Sequence, residues 1–483
     1  MKSVRKNLTL SFITRYSELV VQIISTMIIA RLLSPAEIGT FSVAAVIISI
    51  AHTIRDFGVG DYIVQEKELT KDRLRAAFTV TLIFSWVMAI ILFSSAGIAS
   101  SFYGEPGVSQ VMKYLSISFL LIPFGQVTMS YLRREMNFSV LLKIRVTSTI
   151  VHAIVVVGAA VSGESYMSMV WASLSGMIVT VLLAFYYRPE ELPYLPGVNQ
   201  IKRVFSFGSM SSFTNLIGTF GNAAPELVIG RVSGMHYVGM FNRASSTMQL
   251  FTKFITMAIQ PVVTPFFAKE HRNGESLKSP YLYGIECLTG IAWPFAIFVS
   301  IMTYPLIRVL YGSQWDEAIP VIRYLCIGFS LHIIVSMFSN LFTAIGKIKT
   351  VMKVESATQI LRFAVILISA PYGILMIAKS LPVVALINLV VASYLVKRHI
   401  GIMYVDYMHI VAKGMVITLL SGAVPFSVML IMDIRTLPEL FVLTGAAFGC
   451  FIGWLLGIWI TNHAIKQEIK NAYYNYKDRK KSI

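Results

Sequence analysis

The stretch ARLLSPAEIGTFSVAA, residues 30–45, decides the fold, because it returns two hundred positions later as GRVSGMHYVGMFNRAS, residues 230–245. In both copies the pattern is that of the end of one apolar helix, a tight turn and the start of a second helix. A repeat of about 200 residues is far longer than the roughly 20–50-residue unit of a solenoid, so it predicts two homologous halves. Four pairs of positions are identical in the two copies: Arg31 and Arg231, Gly39 and Gly239, Phe41 and Phe241, Ala44 and Ala244.

The composition is that of a polytopic membrane protein. Hydrophobic residues make up 56% of the 483 residues and charged residues only 13%, whereas a soluble domain has about 25% charged residues. Apolar stretches long enough to cross a bilayer as helices fill most of the chain, and the period-two alternation of barrel strands is missing. We therefore predict an all-α fold. The net charge of +17 is not gathered in a soluble domain, so no nucleic-acid partner is expected.

Hydropathy predicts about fourteen transmembrane helices joined by short connections. The predicted spans are residues 8–30, 36–57, 76–100, 108–130, 139–161, 165–187, 203–230, 235–260, 281–303, 318–342, 350–370, 373–396, 406–431 and 437–460. Six spans in each half form two lobes, 1–190 and 200–400. Two extra helices follow in 404–462, and a basic tail in 463–483. Because six is an even number, both halves start on the same side of the membrane, which makes the repeat parallel.

Lysine and arginine alternate between the connections. The segments SFYGEPG at 101–107, VSGES at 161–165 and YGSQWDE at 311–317 contain neither residue, whereas the connections after even-numbered spans are basic. The positive-inside rule then places both termini in the cytoplasm. We predict a multi-pass protein of the bacterial inner membrane, with the tail on the anionic inner leaflet.

Enzyme and metal motifs are missing from the sequence. The three cysteines are scattered through apolar spans, and Gly346-Lys347 lacks the rest of a phosphate-binding P-loop. We therefore expect no catalytic residue, no bound metal and no cofactor. Coupling to H+ or Na+ is left open.

Several motifs, taken in order, resemble one family. They are ARLLSPAEIGTF at 30–41, DFGVGDYIVQEKELT at 56–70, FSFG at 205–208, ELVIGRVSGMHYVGMFNRA at 226–244, YGSQWDEAIPVIRYL at 311–325 and AIGKIKT at 344–350. In this order they resemble the oligosaccharide flippases of the MOP superfamily, the Wzx-type polysaccharide-transport proteins. The resemblance covers roughly residues 1–400.

That resemblance implies a V-shaped pair of six-helix lobes around a central cationic cavity. It also implies movement of undecaprenyl-diphosphate-linked oligosaccharides from the cytoplasmic to the periplasmic leaflet, for O-antigen, capsule or exopolysaccharide. The implied partners are this substrate, membrane lipids, a polysaccharide polymerase and chain-length machinery. Two alternatives stay open: a cation-coupled multidrug exporter of the same superfamily, and a membrane polymerase or glycosyltransferase. The twelve spans and acidic cavities of exporters, and the large loops of such enzymes, argue against both.

Polar residues follow one face of each of the first two spans. In the first span, Arg15, Glu18, Gln22 and Ser25 recur at helical spacing. They form either a cavity-facing pair with its polar extension or an internal pair that only stabilises packing, because an ionisable residue in a span needs a partner. The second span ends in His52, Arg55 and Asp56, which lie within one turn near the cytoplasmic edge.

The eighth span carries the strongest polar stripe, formed by Asn242, Ser246, Gln249 and Lys253 with Arg243 beside it. Arg243 has no acidic neighbour one turn away, so it needs a partner from another element; Glu226 in the seventh span is the protein candidate. The predicted substrate-binding residues are Arg15, Glu18, Arg55, Arg243, Gln249 and Lys253. The candidates for ion coupling are Glu18, Asp56 and Glu226.

Three further groups of charges lie in the second half. Glu355, Thr358, Gln359 and Arg362 share a face of the eleventh span, as a structural seam between helices or as cavity lining. Glu286 and Lys379 are single charges in the ninth and twelfth spans, and their roles are left open.

Overall fold

A computed structural model describes residues 2–56, 58–190, 192, 195–431, 437–468 and 470, with the side chains of 2–15, 203, 205–215, 251 and 254–262 left aside. The described residues form helices and connections without a strand, which confirms the all-α prediction. The helices of the first half are α1 Lys2–Leu32, α2 Pro35–Asp56, α3 Val59–Gln65, α4 Lys71–Tyr103, α5 Pro106–Arg134, α6 Phe138–Val161, α7 Met167–Tyr186, α8 Ile201–Val232 and α9 Met235–Arg272. The remaining helices are α10 Lys278–Ile301, α11 Thr303–Leu310, α12 Ala318–Val335, α13 Phe338–Ala344, α14 Ile348–Ser369, α15 Ile374–Ile400, α16 Tyr404–Ile431 and α17 Glu439–Ile460.

Ten membrane spans among the described residues are long and apolar enough to cross a bilayer. They are α2, α4, α5, α6, α7, α10, the pair α12–α13, α15, α16 and α17. Four other helices, α1, α8, α9 and α14, have 22 to 38 residues and coincide with predicted spans that carry polar residues. The protein is a multi-pass membrane protein. The exact number of fourteen spans stays a prediction.

Helix starts follow the capping residues in the sequence. Ser34 precedes α2 and forms a capping box with Glu37: the Ser34 backbone N–H donates to Glu37 Oε2 at 2.7 Å, and Ser34 Oγ lies 3.4 Å from the Glu37 backbone nitrogen. Thr70 caps α4 by accepting from the Arg73 backbone N–H at 3.3 Å. Asn137 caps α6 by accepting from the Val140 backbone N–H at 3.4 Å. Because caps satisfy donors that no helix bond can reach, they fix where each span begins.

The chain divides into two compact units, Met1–Gly239 and Met240–Ile483. This division puts α8 and the first turn of α9 in the first unit. It therefore falls later than the predicted lobe boundary near 190–200, and the repeat-based boundaries at 190, 200, 400 and 463 stay predictions. The first unit has a core cluster that includes Tyr62, Ile63 and Phe78, all buried.

The two copies of the repeated stretch meet inside the first unit. The first turn of α2 crosses the first turn of α9, with Gly39 and Gly239 at the crossing. At each glycine, the backbone of the other copy occupies the space that a Cβ would need. Two helices approach this closely only where small residues face each other.

In the second unit, α16 and α17 pack against each other along glycines of α17. Gly449, Gly453 and Gly457 recur every fourth residue and face Val424, the Leu420 carbonyl and Ile417 of α16. The hairpin also packs on α10. The two helices that lie outside the repeat are therefore an integral part of the second unit.

Segment 463–468 begins the predicted tail and also packs on the second unit. His463 is fully enclosed, and Ile465 joins a core cluster with Ile417 and Ile458. The Ala464 backbone N–H donates to Glu286 Oε1 at 3.2 Å. This segment therefore docks on the first half of α10, and residues 471–483 lie outside the described residues.

Candidate functional site

The polar face of α1 is only partly within the described side chains. Glu18 is half-buried and Gln22 is exposed. Ser25 Oγ donates to the Val21 carbonyl at 2.8 Å, so this hydroxyl is satisfied within its own helix. The Arg15 side chain lies outside the described residues, and the Arg15–Glu18 pair therefore stays a prediction.

A buried arginine lies at the end of α2. Arg55 is only 5% exposed, and its Nη2 lies 2.9 Å from Asp56 Oδ1 and 3.4 Å from His52 Nδ1. The His52 ring stacks on the Phe119 ring of α5 with centroids 4.3 Å apart. Nε and Nη1 of Arg55 are buried and meet no acceptor among the described residues. Since buried donors are almost always paired, this guanidinium has capacity for one further acceptor.

Arg243 packs against two aromatic rings. It is 5% exposed, and its guanidinium carbon lies 5.0 Å from the Tyr311 ring centroid and 4.9 Å from the Trp315 ring centroid. Both rings are completely enclosed, and the Tyr311 hydroxyl lies 3.1 Å from Thr247 Oγ1. Arg243 makes no ion pair with a described residue of its own unit, and its Nε meets no acceptor among the described residues. The ring faces stabilise the charge and leave donors at the edge of the guanidinium.

The rest of the α9 stripe divides into two parts. Asn242 and Ser246 are half-buried and lie together, with Ser246 Oγ 3.5 Å from Asn242 Oδ1. Gln249 and Lys253 are exposed. Glu226, the protein partner offered for Arg243 on sequence grounds, is buried on α8 in the first unit. That pairing stays a prediction.

A second arginine, Arg308, forms ion pairs next to the segment that contains Tyr311 and Trp315. Arg308 Nη2 lies 2.7 Å from Asp316 Oδ2, and its Nη1 lies 3.9 Å from Glu439 Oε1 at the start of α17. The hydrogen bond to Asp316 raises the pKa of Arg308 above its usual value. The loop after α11 is thus tied both to α9, through Arg243, and to α17.

The two charges left open on sequence grounds have partners in the second unit. Glu286 Oε1 lies 3.0 Å from Lys413 Nζ on α16, so the single acid of α10 is part of an ion pair between helices. Lys379 Nζ lies 5.5 Å from the Tyr324 ring centroid. On α14, Thr358 Oγ1 donates to Asn388 Oδ1 of α15 at 3.3 Å, as a packing seam would.

Three residues beside these groups were missed on sequence grounds. Tyr311 and Trp315 were quoted only as part of a motif, although two aromatic residues four apart beside a buried cation are a usable signal. Arg323 was read only as part of the same motif. It is a single charge near the start of α12, and by the cost of an ionisable residue in a span it needed an explanation.

The chain is similar in sequence to several proteins of polysaccharide biosynthesis. The lipopolysaccharide biosynthesis protein WzxC of Escherichia coli K12 is 22% identical over 391 residues, which cover 80% of this chain and 79% of WzxC. The teichuronic acid biosynthesis protein TuaB of Bacillus subtilis is 20% identical, over 85% and 86% of the two chains. The succinoglycan biosynthesis transport protein ExoT of Rhizobium meliloti is 25% identical, over 72% and 70%.

Solved structures show the same fold. The lipid II flippase MurJ in an inward closed conformation aligns with a TM-score of 0.77 at 13% identity, over 94% of this chain and 98% of MurJ. An inward-facing multidrug resistance MATE transporter of the MOP superfamily aligns with a TM-score of 0.60 at 16% identity, over 79% and 95%. The predicted MOP-superfamily fold is thereby confirmed.

The names of these similar proteins describe transport: ExoT is a transport protein, MurJ a flippase and the MATE protein a transporter. Residues 28–320 match the family described as "Polysaccharide biosynthesis protein", which is more than half of the chain. The chain therefore belongs to the polysaccharide biosynthesis protein family.

Proposed function

We propose that this protein flips an undecaprenyl-diphosphate-linked oligosaccharide from the cytoplasmic to the periplasmic leaflet of the bacterial inner membrane. The flipped glycan would supply a surface polysaccharide such as O-antigen, capsule or exopolysaccharide. Membership of the polysaccharide biosynthesis family supports the substrate class, and the names of ExoT and MurJ support transport and flipping.

The observation that carries this proposal is the pair of buried arginines with unused donors. Within the described residues, Arg55 has two buried nitrogens without an acceptor, Nε and Nη1, and Arg243 has one, Nε. Charged groups are costly in a low-dielectric region unless a counter-charge is present. A diphosphate supplies negative charge and several acceptor oxygens, and arginine binds such groups through two parallel hydrogen bonds.

In this mechanism the lipid tail stays in the bilayer while the headgroup passes through a cationic cavity by alternating access. Arg55 and Arg243 bind the diphosphate, with Arg15 and Glu18 as further lining. The exposed Gln249 and Lys253 contact the polar headgroup. Transport would draw on an H+ or Na+ gradient, with Glu18, Asp56 or Glu226 as the coupling acid. Both termini are cytoplasmic, and the flipped product passes to a polysaccharide polymerase and its chain-length machinery.

A multidrug exporter fits these residues less well. Cationic drugs need an acidic or aromatic cavity, whereas a buried arginine at the end of α2 repels them. The MATE likeness is one of fold alone.

The test is deletion of the gene followed by mass spectrometry of the lipid-linked glycan, with assignment of its leaflet. We expect the glycan to accumulate facing the cytoplasm. Complementation with Arg55→Gln should fail, because the charge and the paired donors are lost, whereas Arg55→Lys should restore part of the export. Lys113→Gln, at an exposed lysine of α5, is the matched control and should export normally. A deletion strain whose lipid-linked glycan pool stays unchanged would refute the proposal.

A further inference from the structure

Two basic residues of the second unit lie inside membrane-spanning helices without a carboxylate partner. Arg323 on α12 and Lys379 on α15 are both exposed and make no ion pair with any described residue. An exposed cation within a span is costly in lipid and needs an anion, water or the interface. Neither residue belongs to the site proposed above.

The two residues lie at the same level of neighbouring helices. Each is the sixth residue of its helix, about 7.5 Å along the axis from the first residue. The register of α12 and α15 is fixed at two points: Lys379 Nζ lies 5.5 Å from the Tyr324 ring, and Gly328 lies against Pro382. Both contacts advance in the same direction, so the helices run parallel and begin at the same end.

Because α12 and α15 begin at the same end, their N-termini add to the positive charge there. The first turn of a helix carries unpaired N–H groups and a partial positive charge of about +0.5. The Arg323 guanidinium and the Lys379 ammonium each lie within about two turns of one of these helix starts. The electrostatic potential at this end of the two helices is therefore strongly positive. Tyr324, next to Arg323 in the chain, holds the Lys379 ammonium over its ring face. A phosphate or carboxylate group bound at this end would offset the positive charge.

We infer that Arg323, Lys379 and Tyr324 form an anion-binding site that takes a phosphate or carboxylate group. Such a group could come from the headgroup of an anionic phospholipid or from an acidic sugar of a glycan. Arginine would bind two of its oxygens and lysine would act as a point charge. The site is separate from the diphosphate site and does not depend on the proposed function.

The first experiment tests the lipid source. The full-length protein is reconstituted in phosphatidylcholine, and the association of spin-labelled phosphatidylglycerol is compared with that of spin-labelled phosphatidylcholine. We expect the wild type to prefer phosphatidylglycerol by about tenfold at its strongest site, because a charge-assisted contact with the headgroup raises the affinity by about this factor. The double variant Arg323→Gln with Lys379→Gln should lose this preference. Lys113→Gln removes one exposed cation of α5 and should keep it. The melting temperature of each variant shows that it is folded.

The second experiment tests the glycan source. Tri-galacturonate, with maltotriose as the uncharged control, is titrated against the same proteins in a zwitterionic detergent while the melting temperature is followed. Stabilisation of the wild type by tri-galacturonate alone, lost in the double variant, would assign the site to an acidic sugar. Loss of the phosphatidylglycerol preference instead would assign it to a lipid headgroup. If the double variant behaves like the wild type towards both ligands, the site does not exist.

Discussion

Gly39 and Gly239 contact each other reciprocally: a Cβ on Gly39 would collide with the Met235 carbonyl oxygen, and a Cβ on Gly239 with the Pro35 carbonyl oxygen. Pro35 and Met235 are themselves equivalent positions of the repeat, as are the two glycines. In two-fold symmetry, a contact between one residue of the first copy and one of the second is repeated with the two copies exchanged. The contacts Gly39–Met235 and Gly239–Pro35 are such a pair. The first turns of α2 and α9 are therefore related as two copies of one element around a local two-fold axis.

We predict that Gly39→Ala and Gly239→Ala each lower stability by about 1–3 kcal/mol, because backbone carbonyls cannot move aside as a flexible side chain can. Gly97→Ala on α4 is the control. Nothing lies within 4 Å of its Cβ position, so the change should be neutral or slightly stabilising through helix propensity. Thermal melting in detergent measures the three variants. A wild-type melting temperature for both Gly39→Ala and Gly239→Ala would show that the two turns are not in contact.

Arg243 should contribute to stability as well as to binding. Arg243→Met keeps the length of the side chain but removes two cation–π contacts with buried rings, so we expect a loss of about 2 kcal/mol. Combined with Trp315→Leu, the losses should be less than additive, because both changes remove the same contact. Lys269→Met, at an exposed position in the last turn of α9, should leave the melting temperature unchanged. Strict additivity of the two losses would mean that the ring does not stabilise the charge.

Glu286 and Lys413 should behave as a coupled pair between α10 and α16. Glu286→Gln leaves the partly buried Lys413 ammonium without its counter-charge and should destabilise the second unit by about 1–3 kcal/mol. Adding Lys413→Met should restore much of this loss. Thermal melting of the two single variants and the double variant measures the coupling energy. A double variant less stable than either single one would contradict the pairing.

His463 should make stability sensitive to acid. Burial lowers the pKa of His463 below its usual value; the nearby Glu286 acts in the opposite direction and Lys413 in the same direction. A histidine with a lowered folded pKa stabilises the folded state fully above its unfolded pKa, and this contribution is lost as the pH falls from there to the folded pKa. Melting temperatures should therefore fall below about pH 6.5 more steeply in the wild type than in His463→Gln. His409→Gln, at an exposed position of α16, should follow the wild type, and an identical pH profile for His463→Gln would contradict the prediction.

The predicted orientation can be tested with reporter fusions. Because bare and basic connections alternate, fusions at Gly104, Gly163, Gly312 and Leu437 should report the periplasm, and fusions at Asn137, Asn199, Asn273 and His399 the cytoplasm. A single inverted site would break the even number of spans on which the parallel repeat depends.

Helix positions were predictable because bilayer thickness sets the length of an apolar span. The predicted spans 139–161 and 437–460 agree with α6 and α17 within two residues at each end. The short helices α3 and α11 and the break between α12 and α13 were not predicted. Each is a local change of chain direction, and hydropathy averaged over a span does not register it.

Side-chain partners were predictable only within one helix. Spacing alone placed His52, Arg55 and Asp56 in one turn, and the structure brings them together. The contacts between Arg243 and Trp315, and between Glu286 and Lys413, join residues that are 72 and 127 positions apart. A one-dimensional pattern contains no information on which faces of distant helices meet.

The sequence by itself determined a multi-pass helical protein with a repeated hairpin and charges within its spans, because bilayer thickness, helical periodicity and the cost of a buried charge act on local stretches of chain. Only the tertiary structure decided which side chains each charged residue contacts. It packed Arg243 against two rings, left donors of Arg55 without an acceptor among the described residues and gave Glu286 a lysine, because each outcome depends on the packing of side chains from separate helices at distances of a few ångströms.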